Sequence, residues 1–345
     1  MTLVRRLGVV LVNWRRAGDT LECLESLLRS DTPIRVVVVD NGSDDGSIDL
    51  LIRWAAGEEA AGVVSPAMAH LSSPPLAKPL TLRRLSLAEA ATAVPDGAAV
   101  TVIDAGGNVG FAAGNNLGIN FLLRARDIDY VWLLNNDTVV QPDAAQALIA
   151  RMDATHNVGM CGTVVRYYHR PDTLQALNGH RFSLMTGASR GINSGKSIRV
   201  PFDPARVARE TDFVLGASLA VSRRFVETIG PMHESYFLYF EEVDWAYRNA
   251  GRFAIAFAHG AIVFHKEGGT IGSSSTKGLR SELSDYYLTR SRLAFIRRRA
   301  PLLLPWHWLL TMVLIARRLL RLQPKKALVL ARALLGLRYK SGSKE

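Results

Sequence analysis

Cysteine is nearly absent: Cys23 and Cys161 are the only two in 345 residues, too few for a disulfide framework. Cys23 falls in a helix-like run and Cys161 in a strand-like one, so both read as reduced core residues of a cytosolic protein. A cleavable leader is also missing. "MTLVRRLGVVLVNW" sets basic residues before an apolar run, but that run is short, β-branched and followed by "RRAGD" without a small-residue cleavage site, so it reads as a strand. The uncharged run from Pro301 to Ala316 holds 16 residues, contains Pro305 and His307, and falls short of the roughly 20 that span a bilayer. Acidic residues almost vanish from the tail. Residues 290–345 hold 14 Lys or Arg against one acidic residue, a net of +13, whereas residues 1–289 carry 28 basic and 30 acidic, a net of −2. Few aromatics interleave with the basic residues, which argues against single-stranded nucleic acid. The tail suits an anionic membrane surface better than a duplex.

What is present is a full core, with 48% hydrophobic residues, and a regular alternation of patterns. "LGVVLVN" (7–13) and "IRVVVVD" (34–40) are β-branched runs around "TLECLESLLRS", in which Leu21, Leu24, Leu27 and Leu28 recur at helical spacing. Ser43 and Asp44 are capping candidates for a helix over "SIDLLIRWAA". Residues 57–97, rich in Ala, Pro and Ser, read as an insertion or surface excursion with one helix near "LRRLSLAEAA". Order resumes with strand, Gly/Asn turn and helix over "AVTVIDAGGNVGFAAGNNLGINFLLRA", then "YVWLLNND", a helix after Pro142 and the strand "VGMCGTVV". Residues 170–210 read as polar and irregular. The fold class is α/β: a Rossmann-like, mostly parallel sheet with helices on both faces over residues 1–289, followed by basic amphipathic helices over 290–345.

In such sheets ligands bind beyond the carboxyl ends of the strands, where Asp40, Asn108 and Asp137 all fall. Carboxylates gathered in one crevice repel one another unless a cation or donors compensate, and a divalent ion bridging to phosphate does so. "DAGGNVGFAAGNNLG" lacks the GxGxxG spacing of a dinucleotide fingerprint, so its glycines and Asn108, Asn115 and Asn116 suggest close backbone approach to a nucleotide or sugar. Glu241, Glu242 and Asp244 open a short helix after an aromatic run. Crowded carboxylates beside aromatic surface raise one another's pKa, which suits a general base. His265 closes a further strand and becomes a ligand candidate for Mn²⁺ beside a carboxylate. Trp245 and Tyr236 are either core or stacking platforms, and the small residues of "FVLGAS" leave room for a sugar.

Asp40 in "VVVVDNGSDDGS", "GGNVGFAAGNN", "LLNNDT", the stretch from "GASLAVSRRF" to "FEEVDWAYRNAG", and "HGAIVFH" together resemble family 2 inverting glycosyltransferases, especially the rhamnosyltransferase-like branch of bacterial surface-polysaccharide assembly. The resemblance runs from about Leu7 to Tyr287, apart from the excursion. It implies a GT-A fold, a nucleotide-diphosphate sugar donor (dTDP-rhamnose or a UDP-sugar), Mg²⁺ or Mn²⁺, and a glycan or lipid-linked oligosaccharide acceptor. Asn13, Asp40, Asn41, Asn108, Gly110, Asn115, Asn135, Asn136 and Asp137 form the implied nucleotide-sugar set. Asp137 with His265 holds the metal, Asn standing where the family's first acidic residue falls. Glu242 is the implied catalytic base, with Glu241 next and Asp244 structural. A cytoplasmic protein attached peripherally to the inner face of the membrane follows, with a homo-oligomer as a further open partnership. The competing readings are a nucleotidyltransferase, for which no basic Gly loop follows the first strand, and a noncatalytic carbohydrate- or nucleic-acid-binding protein.

Overall fold

The computed structural model describes residues 6–267 and 281–339. Its first half runs β1 (Leu7–Asn13), α1 (Ala17–Leu27), β2 (Ile34–Asp40), α2 (Ser47–Ala56), α3 (Ala69–Ser72), β3 (Leu82–Ser86), α4 (Leu87–Ala90), β4 (Val100–Asp104), α5 (Phe111–Leu122), β5 (Tyr130–Asn135), β6 (Thr138–Val140) and α6 (Ala144–Asp153). The second half continues with β7 (Val158–Tyr167), β8 (Arg170–Leu177), β9 (Gly179–Ser183), β10 (Ala188–Gly191), α7 (Pro204–Glu210), β11 (Phe213–Val214), β12 (Ser218–Ser222), α8 (Arg223–Ile229), α9 (Glu241–Asn249) and β13 (Ala254–His265). It ends with α10 (Glu282–Arg299), α11 (Leu304–Leu320) and α12 (Pro324–Leu334).

The main sheet has the order β3-β4-β2-β1-β5-β12-β7-β13-β6, with β8 pairing to β7. From β3 to β5 every pairing is parallel, whereas β12, β6 and β8 each pair antiparallel, so the sheet is mixed rather than uniformly wound. The β-branched runs alternate between two buried layers because successive side chains leave opposite faces of a strand. Val36 and Val38 pack with Leu21, Trp54 and Leu148 from α1, α2 and α6. Val37 and Val39 pack with Ile119, Phe225, Trp245 and Phe295 from α5, α8, α9 and α10.

Four expectations need correction. The helix near "LRRLSLAEAA" is confined to one turn, α4, because Leu82–Ser86 instead adds a parallel edge strand to β4 and Ser86 with Glu89 forms a capping box that starts the turn only there. The excursion is thus partly absorbed into the sheet. Residues 170–210 are not irregular: β8 buries Leu174, Ala176 and Leu177 beneath a polar composition, and β9 and β10 join β11 in a second, three-stranded antiparallel sheet. Ser43 and Asp44 do not cap α2. Its N-cap is Gly46, and Asp45 receives the Ser47 backbone amide, while Asp44 pairs with Arg15. Finally, the body and tail expected to part between residues 289 and 290 meet inside α10, whose Phe295 and Ile296 are core residues.

The tail helices have two unlike faces. On α11, His307 and Thr311 are buried: His307 Nε2 donates to the Leu184 carbonyl at 2.8 Å, and Arg292 donates to Thr311 Oγ1 at 2.7 Å. The helix continues through Arg317 and Arg318, so Pro301–Leu320 provides 20 residues, long and apolar enough to cross a membrane by length and composition, where the uncharged run alone was too short. Its other face is open, with Leu302 94% exposed and Trp308, Leu309, Met312 and Leu320 also exposed.

One buried carboxylate ties the excursion to the body. Glu25 on α1 has no exposed side-chain surface and accepts from Trp54 Nε1 (2.9 Å), Leu76 N (2.9 Å), Lys78 Nζ (3.0 Å) and Arg29 (3.0 Å). Burial pushes its pKa up, but these donors outweigh burial and hold it below the usual carboxylate range. Glu25→Ala strands two cations and two N–H donors, so urea denaturation should show a loss of about 3 kcal/mol. Glu59→Ala, which removes a half-exposed pair with Arg53 at 3.9 Å, should change stability by less than about 0.5 kcal/mol.

Candidate active site

Strand β5 ends at Asn135 and the chain runs on through Asn136 and Asp137; the Asn136 side chain turns one way, and those of Asn135 and Asp137 converge on His265. Asn136 Nδ2 turns towards α1, donating to Thr20 Oγ1 (2.9 Å) and Asn13 Oδ1 (3.3 Å). Asn135 Nδ2 turns towards His265 Nε2, 3.3 Å away. The chain then crosses to the far edge of the sheet as β6, which pairs antiparallel with β13 so that Thr138 stands opposite His265. That register brings Asp137 Oδ1 within 3.1 Å of His265 Nε2. His265 Nδ1 meets Gln175 Oε1 from β8 at 2.9 Å, which fixes the ring plane.

Electrostatics favour the charged forms of this pair. Burial raises the Asp137 pKa, but the positive charge and hydrogen bond of His265, then the charge of Lys266, prevail and the net shift is downward. Burial lowers His265, and Asp137 more than offsets it, so the imidazole sits above its ordinary value. Lys266 meets Asp137 through the backbone, its N–H donating to the Asp137 carbonyl at 3.0 Å, while its ammonium is engaged by Asp19 at 2.7 Å and Glu22 at 2.6 Å. The rest of "HKEGGTIG", from residue 268, lies outside the described residues.

Across the cavity, α9 begins after two aromatic residues in the left-handed region, Tyr239 (φ 66°) and Phe240 (φ 72°). Such strain persists only where the surroundings over-determine it. The turn delivers Glu241 and Glu242 to the cavity wall in the first helical turn. Glu242 lies against Gly216, where a Cβ would stand 3.3 Å from Oε1. Glu241 is 4% exposed, and one oxygen of each carboxylate is buried with no hydrogen-bond partner among the described residues. Burial raises the Glu242 pKa to about 7, and burial followed by the charge of Glu242 raises Glu241 well above the usual range. The helix N-terminus favours ionised carboxylates, but desolvation is the larger effect here. Asp244 is different: it is fully buried between Arg299 (2.8 Å) and Arg248 (3.1 Å), a structural ion-pair node.

These two carboxylate groups open into one cavity of about 490 Å³, lined also by Trp14, Asn41, Asn108, Gly110, Asn135 and Asn136. Gly110 (φ 89°) is required there, since a Cβ would fall 2.8 Å from the Phe237 carbonyl oxygen, the acceptor of the Phe111 amide. Asn41 Nδ2 donates to the Gly110 carbonyl at 3.0 Å, fastening this loop to β2.

Three expected ligand residues stand behind the wall rather than on it. Asp40 is fully buried, with Oδ1 accepting from Asn13 Nδ2 (2.7 Å) and Oδ2 from Ser43 N (2.8 Å). Asn13 is equally buried and spends its oxygen on Thr20 and Asn136. Asn115 turns back to the Phe111 carbonyl one helical turn earlier, and Asn116 clamps Met232 and Glu234. Trp245 and Tyr236 are core side chains. The aromatic wall is instead Trp14, Phe237 and Tyr287, the last two stacked at 4.9 Å. Gln175 and the Phe237–Tyr287 pair carried no readable signal, because partners more than forty residues apart give no local pattern; Trp14, directly after a strand-end Asn, had one.

A doubly layered α/β sheet whose strand-end loops and a buried glutamate pair line one cavity has a GT-A-like architecture. More particularly, residues 85–213 match the model of glycosyl transferase family 2. Over 146 residues, 42% of this chain and 45% of the relative, it is 25% identical to the low-salt glycan biosynthesis hexosyltransferase Agl10 of Haloferax volcanii, and so spans under half of that relative's length. Among solved structures, S. aureus TarS 1-349 in complex with UDP-GlcNAc is similar at a TM-score of 0.48 and 13% identity, covering 86% of this chain and 67% of that one. The mannosyltransferase PcManGT from Pyrobaculum calidifontis, in complex with GDP-Man and Mn²⁺, gives 0.46 and 14%, covering 97% and 87%.

The glutamate pair has a measurable cost. With folded pKa values raised, the native state keeps protons that the unfolded chain releases, so stability falls as pH climbs from the ordinary carboxylate range through about 7. The variant Glu241→Gln/Glu242→Gln should therefore exceed the parent in stability at about pH 8 by on the order of 2 kcal/mol and match it near pH 4 in urea titrations.

Proposed function

We propose that the chain transfers a sugar from a nucleotide-diphosphate sugar to a hydroxyl of a glycan or lipid-linked oligosaccharide acceptor, with inversion at the anomeric carbon. The observation that carries this reading is the shared cavity: Asp137 and His265 stand on one wall, Glu241 and Glu242 on another. Glu242, with its pKa near neutrality, takes the acceptor proton as the hydroxyl oxygen attacks the anomeric carbon from the side opposite the departing nucleotide. Glu241, raised by burial and by the charge of Glu242, titrates together with it, so the pair resists carrying two negative charges at once. Asn41, Asn108, Gly110, Asn135 and Asn136 offer neutral donors and acceptors to nucleotide and sugar, and Trp14 an aromatic face. Asp40 and Asn13 act from behind by holding the β1 and β2 strand ends together.

Asp137 and His265 fit a divalent cation, Mg²⁺ or Mn²⁺. They are a carboxylate and an imidazole 3.1 Å apart; the ion would take the place of the proton between Oδ1 and Nε2, leaving the imidazole neutral, and since no group of three His, Cys, Asp or Glu converges among the described residues, diphosphate and water would complete the shell. Bound there, the ion supplies neutralisation of the charge growing on the leaving diphosphate. The donor is dTDP-rhamnose or a UDP-sugar, following the rhamnosyltransferase-like motifs, and the protein works at the cytoplasmic face of a membrane, held by its basic tail.

Screening the purified protein with Mn²⁺ against UDP-, dTDP- and GDP-sugars, by thermal stabilisation and nucleotide release, tests this reading. One class should stabilise the protein and be consumed. Glu242→Gln should lower transfer by about 10²- to 10⁴-fold while donor stabilisation persists, and Asp137→Ala should abolish the metal-dependent part of that stabilisation. No stabilisation by any donor, with or without metal, would sink the proposal.

A further inference from the structure

A second cavity, of about 310 Å³, lies among α10, α11 and α12. Its floor is apolar, with Leu293, Leu304, Trp308 and Leu334, yet Arg290, Arg297 and Arg298 all line it. None of these three pairs with a carboxylate among the described residues. Arg290 donates to the Gly336 carbonyl at 3.1 Å, Arg298 lies 5.2 Å from the Tyr236 ring centre, and Arg297 has no hydrogen bond or ion pair there. Neighbouring arginines are treated differently: Arg299 is neutralised by Asp244 and Arg318 by Asp285. Three uncompensated guanidinium groups on one concave wall repel each other and attract an anion, and their planar donors suit phosphate oxygens.

Two further features narrow the anion. Phe237 and Tyr287 line this cavity and the candidate active cavity alike, so one stacked aromatic pair at 4.9 Å is their common wall. On the other side Trp308 leads onto the open face of α11, where Leu309, Met312 and Leu320 are exposed. Phosphate on one side, a long apolar surface beyond it and the glutamate pair next door match an amphiphile. A free glycan needs neither the arginines nor the apolar face. A second copy of this chain would set one tail of net charge +13 against another.

We propose that this cavity binds the phosphate or diphosphate of a long-chain lipid bearing the acceptor sugar, with the chain along α11 and the sugar passing Phe237 and Tyr287 towards Glu242. This assignment rests on the sugar-transfer reading above. The test uses the full chain and phosphatidylcholine vesicles carrying either undecaprenyl phosphate or phosphatidylglycerol at matched charge, read by co-flotation, with inorganic pyrophosphate as competitor. The polyprenyl phosphate vesicles should be preferred by about tenfold, equivalent to about 1.4 kcal/mol. Arg290→Gln/Arg297→Gln/Arg298→Gln should erase that preference without changing donor stabilisation, and Glu242→Gln should keep it. Should the triple variant fail to fold, Arg297→Gln alone, which breaks no contact among the described residues, should still reduce the preference. Equal binding to both vesicles, capture of pyrophosphate without any lipid preference, or a preference that survives the substitutions would each overturn the assignment. A lipid preference with no response to any nucleotide sugar would instead remove the transfer reading and leave the lipid site standing.

Discussion

The contact between Asp137 and His265 depends on a strand crossing, and most of the cavity depends on that contact. β5 lies near the middle of the sheet and β6 at its far edge, and Asn136 and Asp137 alone join Asn135, the last residue of β5, to Thr138, the first of β6. An apolar run could not stand here, because Asn135, Asn136 and Asp137 meet polar partners from α1, β1 and β13 within three residues. The antiparallel register of β6 on β13 then sets the Asp137 carboxylate 3.1 Å from His265.

Opposite that wall, the protein tolerates an unfavourable arrangement. Two adjacent glutamates at a buried helix start repel, lack partners for one oxygen each, and follow two residues in strained backbone. Stability alone would remove them, and the surroundings that hold them are extensive: Asp244 clamps α9 to α10 through Arg299, and the aromatic cluster of Phe182, Phe240, Tyr247 and Phe295 packs above. The second sheet exists, in this view, to supply Phe182 and to dock α11 through the Leu184 carbonyl. The glutamate wall and the tail are therefore mechanically one structure, which is why the boundary between body and tail fell inside a helix.

Much was legible from the chain itself. The continuous β-branched runs marked the parallel half of the sheet, and Asp137, His265, Glu241 and Glu242 each stood where an apolar segment gives way to polar residues. Illegible parts share a cause. Leu82–Ser86 has a helix-compatible composition and becomes a strand only because β4 offers an open edge; β8 to β10 are polar because one face meets water. Local composition reports burial of a segment's own faces and is silent about which edge will capture it.

By itself, the sequence determined which residues would be charged, amide-bearing or apolar at each strand end, and hence the kind of chemistry available. Tertiary structure alone decided which of them meet. Asn13 and Asp40, equally suited to a ligand by type, spend a hydrogen bond on each other across the β1–β2 register, whereas Asp137 and Glu242, about a hundred residues apart, share a cavity. The reason is physical: a buried polar group must find its partner wherever the sheet's register sets one, and register is a property of the paired strands, not of either strand alone.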